Sequence, residues 1–365
     1  MSEEPVSRRP RRTRRHHVGL VACVLLLPAA ALAQDPPFTS QFHREGCTFS
    51  TTTVGGDPFF PLWPGYSLHL EGEESAGGET VQLEATHTVL ADTELVDGVL
   101  CRVYEERESQ DGELVEISRN FFAVCRETGD VWYFGEDVDI YEGGVVVDHS
   151  GAWRAGVDGA APGIFMMGTP MTGSRYFNEI APNAQDRAEV RSLDEALSVP
   201  AGSFDSVLAV HETTVLEPGA FSDKWFARGI GFVKDDALEL VAVTPPPCRP
   251  DATTHCLNNG RFRVTATWQD FVGQTGPAQA LLAGGDSGEF WFFAPSNTEL
   301  LVKVLDACDL PGFRDFWVFA AGLTNVGVTL TVEDTASAGT SRVYRNPVGH
   351  DFAPVLDTSA FATCP

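Results

Sequence analysis

The sequence predicts an all-β protein: an antiparallel meander forming a half-barrel, followed by a small β-sandwich. Three observations carry this. Period-two alternation recurs along the chain, Gly and Pro separate the alternating runs, and no stretch sustains apolar residues at helical spacing over three turns. Val81 to Val89 alternates, Val99 to Glu108 follows, and Asp111-Gly112 separates that run from Leu114 to Cys125. An Asp-Gly pair between alternating runs signals a hairpin, because a type I′ turn needs positive φ at both central residues. Further strands are expected at Val131 to Phe134, Val145 to Asp148, Phe204 to Thr214, Phe221 to Ala227 and Phe232 to Val243. Sequential strands joined by short turns pair as neighbours, so residues 58–243 curl into an open or half-closed barrel. Pro245-Pro246-Pro247 makes residues 244–247 a stiff linker. Beyond it, Arg261 to Trp268, Gly288 to Phe293, Glu299 to Asp306, Phe316 to Ala320, Val326 to Glu333 and Arg342 to Tyr344 read as the short strands of a sandwich over 248–365.

The chain has 365 residues, 51 acidic against 25 basic, for a net charge of −26. That balance excludes a basic nucleic-acid binder. With 43% hydrophobic residues and 24 Phe, the acidity does not signal disorder, because real cores can be buried. Arg8, Arg9, Arg11, Arg12, Arg14 and Arg15 precede sixteen uncharged residues, Val18 to Ala33, ending in Ala31-Leu32-Ala33. A basic stretch, a short apolar run broken at Pro28 and an A-x-A site predict a secretory signal over 1–33 and a mature start at Gln34. Thr13-Arg14-Arg15 also permits a twin-arginine reading. Leu20-Val21-Ala22-Cys23 matches a lipid-attachment pattern, but most of the apolar run follows Cys23, which argues against a surface lipoprotein. The expected location is extracytoplasmic, either secreted or periplasmic.

Removing 1–33 deletes six Arg and two Glu, leaving 49 acidic and 19 basic residues, a net −30. Residues 248–365 carry 12 acidic and 7 basic residues, so 34–247 hold 37 and 12, and the acidity belongs to the half-barrel and the N-terminal extension, 34–57. Seven cysteines remain in an oxidising compartment, where pairing is the default. Among Cys248, Cys256, Cys308 and Cys364, the pairs Cys248–Cys364 and Cys256–Cys308 would close the ends of the second domain and staple its middle. In the first domain, a two-residue turn at Asp111-Gly112 places Cys101 opposite Phe122, so Cys101 does not face Cys125 and Cys47 takes one of the two.

Phe60-Pro61-Leu62-Trp63-Pro64-Gly65-Tyr66, Val199-Pro200-Ala201-Gly202-Ser203-Phe204 and Trp225 to Lys234, with Trp132 to Asp137 and Ala155 to Ala160 between them, resemble a group of secreted bacterial proteins. Their fold is similar to the twisted half-barrel of the LolA/LolB lipoprotein carriers. The last third, with Leu257 to Phe262, Val302 to Asp306 and Gly322 to Val326, resembles an accessory β-domain of bacterial extracellular proteins. The resemblances imply architecture and location; neither brings an active site.

The densest acidic segment beside aromatics runs from Trp132 to Asp158. Glu136, Asp137 and Asp158 are candidate catalytic carboxylates for a hydrolase of an extracellular carbohydrate or ester, since glycoside cleavage needs two carboxyls and aromatics to stack on the sugar. Asp137 and Asp139 share one face of a strand and are candidate Ca²⁺ ligands; the competing reading is a solvated sheet face. No other cofactor is identified. Trp132, Tyr133, Trp153, Phe165 and Met167 are candidate ligand-binding residues. A half-barrel needs an apolar plug over its concave face unless a ligand fills it, and Phe165 and Met167 either complete the core or line a pocket for an apolar ligand. His69, His87 and His211 lack metal-ligand spacing. Gly285-Asp286-Ser287-Gly288 copies a trypsin-like nucleophile segment, but His255 lies about 32 residues away in the same small domain, which that fold forbids. The expected function is binding, or a role at the cell surface, without a reaction. A glycan, an apolar ligand or a cell-surface component is the expected partner, and the hydrolase and the apolar-ligand carrier stand as alternatives.

Overall fold

A computed structural model describes residues 36–53, 58–76, 78–281, 285–337 and 339–364; the signal-peptide expectation lies outside them. The protein is all-β. Its first sheet holds β1 (Ser67–Ala76), β2 (Glu79–Val96), β3 (Val99–Gln110), β4 (Glu113–Cys125), β5 (Val131–Glu142), β6 (Ala161–Met166), β7 (Arg175–Phe177), β8 (Glu179–Ile180), β9 (Asp186–Val199), β10 (Gly202–Thr214), β11 (Phe221–Ala227), β12 (Gly231–Asp235) and β13 (Leu238–Thr244). Their order across the sheet is β7-β9-β10-β11-β12-β13-β1-β2-β3-β4-β5-β6-β8. The two ends of this order, β7 and β8, are consecutive in the chain. Phe177 pairs with Arg187 on one side while Glu179 pairs with Pro162 on the other, so the segment 175–180 draws the meander into a nearly closed barrel.

Aromatic side chains fill one half of the interior. Phe60, only 1% exposed, reaches in from the segment before β1 and meets Tyr104, Phe122 and Phe165 at 4.6–5.1 Å between ring centres. Phe232 and Phe226, 4.4 Å apart, complete the cluster. The stretch placed before the barrel as an extension belongs to its wall: Phe49–Ser50 pairs with the end of β4, and Phe42 and Phe49 each lie 5.7 Å from Trp132. Phe121 to Cys125 is buried continuously because it has this cover outside and the aromatic cluster inside.

The second domain is a sandwich of two antiparallel sheets. β14 (Thr254–Leu257), β15 (Phe262–Gln269), β16 (Thr275–Pro277), β17 (Gln279–Ala280), β18 (Ser287–Trp291), β19 (Leu300–Asp306), β20 (Phe316–Gly322), β21 (Gly327–Asp334), β22 (Thr340–Asn346) and β23 (Val355–Phe361) arrange as β14-β15-β21-β22, with β16 on β15, and as β17-β18-β19-β20-β23. Phe262, Val264, Leu300, Val302, Val318, Leu330, Val332 and Phe361 alternate inward to make its core. The proline linker lies against Gly65, which takes φ +82° and has Pro247 where a Cβ would sit. Any other residue there would meet both obstacles.

The disulfides correct the expected connectivity. They join Cys47–Cys125, Cys248–Cys256 and Cys308–Cys364, in place of Cys248–Cys364 and Cys256–Cys308. β23 pairs antiparallel with β20, which returns the chain end to the start of β20, beside the loop that carries Cys308. A bulge between Glu108 and Ser109 shifts the β3–β4 register by one residue, so Arg102 and not Cys101 faces Phe122. Cys101 is unpaired and fully buried, and burial pushes its thiol up to about 12. Alkylation of the folded, unreduced protein should therefore spare Cys101 and denaturation should expose it. Peptide mapping reads both points, and labelling of Cys101 in the native state would contradict its burial.

Candidate functional site

The inner face of the barrel changes character along the strands. On β3, Arg102 is at the sandwich end and bonds Asn259 of the second domain at 3.1 Å; Tyr104, Glu106 and Glu108 follow, two residues apart. Two-residue spacing keeps them on one face. Their cross-strand neighbours on β4 are Asn120, Ser118 and Glu116. On β5, Glu136 lies opposite Asn120. Gly135 makes that placement possible: at φ +143° and with the Trp153 carbonyl against it, it forms a bulge that lets both Tyr133 and Glu136 face inward. Glu212 on β10 and Asp235 on β12 complete the lining around Lys224 of β11, whose Nζ lies 2.7 Å from Glu212 and 3.8 Å from Asp235. These three side chains are 12–24% exposed, so solvent reaches this part of the inner face. At the boundary with the aromatic half, His87 Nδ1 is 3.1 Å from the Tyr104 hydroxyl, and Tyr133 donates to Asn120 Oδ1.

Burial and mutual repulsion reshape the charge here. Glu106 and Glu108 are pushed up to about 7, and Glu136 to about 8, with loss of solvation the largest cause in each. Glu108 faces Glu116 directly across the ladder, a like-charged pair that opposes ionisation further. Glu179, 5% exposed at the closing segment, is also held well above the carboxylate range, first by burial and then by Glu136 and Asp186. Burial opposes charge on Lys224, but Asp235 and Glu212 outweigh it and keep the ammonium protonated. Because these carboxyls ionise at higher pH in the folded chain than in the unfolded one, their contribution favours the fold below the unfolded carboxyl value of 4.5 and is lost as pH rises from there to 7–8. Between about pH 5 and pH 8 these groups should lower the melting temperature. After solvent screening each carboxyl accounts for about 1 kcal/mol, or roughly 2–4 °C. Glu136→Gln should flatten that slope; a melting temperature that rises with pH over this window contradicts the assignment.

Of the residues singled out in the sequence, Glu136 belongs to this lumen and its supposed partners do not. Asp137 and Asp139 lie on the outer face, where Arg154 Nη2 holds Asp137 at 2.6 Å and Arg119 and His149 hold Asp139 at 3.2 and 3.0 Å. Asp158 sits in an exposed turn with φ +50°. Trp132 is buried on the outer side under Phe42 and Phe49, while Tyr133 and Trp153 pack inside, 5.3 Å apart. Phe165 is part of the aromatic cluster, and Met167 edges a cavity of about 240 Å³ beside Phe59 and Arg228. His69, His87 and His211 have separate partners in Glu71, Tyr104 and Asp223. His255 is buried with Nε2 on the Glu289 carbonyl at 2.7 Å, an ordinary core histidine. Among the described residues, the one group of three metal-ligating side chains within 4.8 Å is Cys47, Cys125 and Glu127, and its cysteines are spent in a disulfide.

Sequence reasoning passed over Glu106, Glu108, Glu116, Glu179, Glu212, Lys224 and Asp235. In Glu105-Glu106-Arg107-Glu108 charge occupies both faces, so alternation does not reveal which face is buried. Lys224 offered a usable signal, being one of three lysines in the chain. Comparison with protein-family models, with curated proteins and with solved structures finds no match.

Proposed function

We propose that this is an extracytoplasmic binding protein without catalytic activity, which takes a positively charged ligand in the acidic half of its barrel. The observation that carries the reading is the inward row Glu106, Glu108, Glu116, Glu136, Glu212 and Asp235, whose only ion-pair partner among the described residues is Lys224. A concave wall of carboxylates with low-dielectric surroundings focuses its field on the mouth and favours cations. Three disulfides are consistent with an oxidising location, and no described helix is long and apolar enough to cross a membrane. The leader at 1–33 supports secretion, and the motifs between Phe60 and Lys234 support kinship with the secreted half-barrel proteins. The hydrolase reading is weaker, since Asp137 and Asp158 do not join Glu136. The apolar-carrier reading is weaker too, because Phe60, Phe122 and Phe165 occupy the apolar half. Calorimetric titration of the full chain at pH 8.5 with Ca²⁺, a lysine-rich peptide and an organic polycation tests the proposal. Saturable binding of one of them, weakened when Glu106, Glu108 and Glu136 become Gln, is expected. No binding by any of the three would refute it.

A further inference from the structure

We infer that the ligand of the acidic lumen is a linear aliphatic polyamine, its ammonium groups seated between carboxylates of facing strands. This rests on the reading of the lumen as a cation site and names the class of cation. The first support is that the lumen already holds a primary ammonium of the chain's own. Lys224 Nζ sits between Glu212 and Asp235, with the Phe232 ring 5.9 Å away. Oxygen for the charge and an aromatic wall for the methylenes are the two things an alkylammonium needs.

The second support is charge without a counter-ion, although Ser118 Oγ donates to Glu116 at 3.0 Å and Tyr133 to Glu136. None of Glu106, Glu108, Glu116 and Glu136 forms an ion pair among the described residues, whereas Asp137 and Asp139 outside do. The third is independent of the acidic row. At the closing segment, Asn178 is 3% exposed and neither its Oδ1 nor its Nδ2 has a partner; Glu179 beside it, 5% exposed, is in the field of Glu136 and has the Trp153 side chain as a donor. Buried polar atoms are seldom left without hydrogen bonds, so this corner of the lumen calls for a polar occupant.

The spacing selects a polyamine over a metal ion. No three ligand atoms of these side chains come within 4.8 Å of one another, so they do not form a coordination sphere. Same-face carboxylates on neighbouring strands stand roughly 5–7 Å apart. Nitrogens linked by three or four methylenes match that spread.

Titration calorimetry of the full chain at pH 8.5 with 1,4-diaminobutane, spermidine and spermine, and separately with Ca²⁺, reads the difference. Affinity should rise about tenfold with each added ammonium, as charge-assisted hydrogen bonds accumulate. The triple variant Glu106→Gln, Glu108→Gln, Glu136→Gln removes repelling charge and so keeps its fold, but should lose at least about thirtyfold in spermidine affinity. Lys224→Met frees Glu212 and Asp235, and spermidine should raise its melting temperature by more than it raises that of the parent chain. Binding of Ca²⁺ or a lysine-rich peptide without polyamine binding overturns the inference and leaves the cation site standing. No cation binding overturns both. Equal affinity for all three amines, unchanged in the triple variant, marks unspecific attraction and overturns the inference as well.

Discussion

Arg102→Ala should destabilise the barrel by about 3–5 kcal/mol, the range for removing one member of a buried polar network. Arg102 is 1% exposed and no carboxylate pairs with it. Its Nε donates to the Thr51 carbonyl at 3.0 Å, its Nη1 to the Ala91 carbonyl at 2.7 Å with Leu90 and Asp92 at 3.3 Å, and its Nη2 to Thr51 Oγ1 and Asn259 Oδ1. The β2–β3 register breaks between Val89 and Thr93, so these carbonyls have no ladder partner and the guanidinium stands in for one. Lysine cannot reproduce five donors in a fork, so Arg102→Lys should recover little. Asn259→Ala should be mild, because it removes one of six contacts. Urea denaturation followed by tryptophan fluorescence measures all three, and a loss under about 1 kcal/mol for Arg102→Ala would show that the bulge satisfies itself.

Phe60→Ala should cost a similar amount, about 3–5 kcal/mol, through a cavity in the middle of the aromatic half. Phe60 touches rings from β3, β4, β6 and β12, so collapse on any one side opens a gap on another. Phe60→Leu leaves a smaller void and should cost less. The variant also discriminates between the functions. If the barrel carried an apolar ligand, emptying this position would enlarge the site and a hydrophobic probe would restore stability. Loss of stability with no recovery on adding such a probe is the expected result, and the affinity of the acidic half for cations should be retained in molecules that remain folded.

The all-β class and the Asp111-Gly112 hairpin were legible because each rests on local chemistry: alternation and positive φ. β9 was missed because bulges after Val190, Ser192 and Glu195 interrupt its alternation. β6 was read as a plug that interrupts the meander; it is a strand whose Phe165 does the plugging, so both roles fall on the same residues. Glu136 was reached through its aromatic neighbours and not through its partners. Which side of a strand a charge occupies depends on a bulge such as that at Gly135, and a bulge is set by backbone from elsewhere, here Trp153. The disulfide pattern failed for a related reason: spacing along the chain says nothing of where β23 returns.

The closing segment has a consequence for motion. Most neighbours in the barrel share long ladders, but β7 holds β9 through three residues and β8 holds β6 through two. Opening free energy scales with the pairing and burial that must be undone. The seam between β6 and β9 is therefore one of the weakest in the wall, with the two-pair β12–β13 ladder, and amides of 175–180 should exchange with deuterium ahead of those in β2 to β4. Opening of this seam would bring the buried Asn178 and Glu179 to solvent.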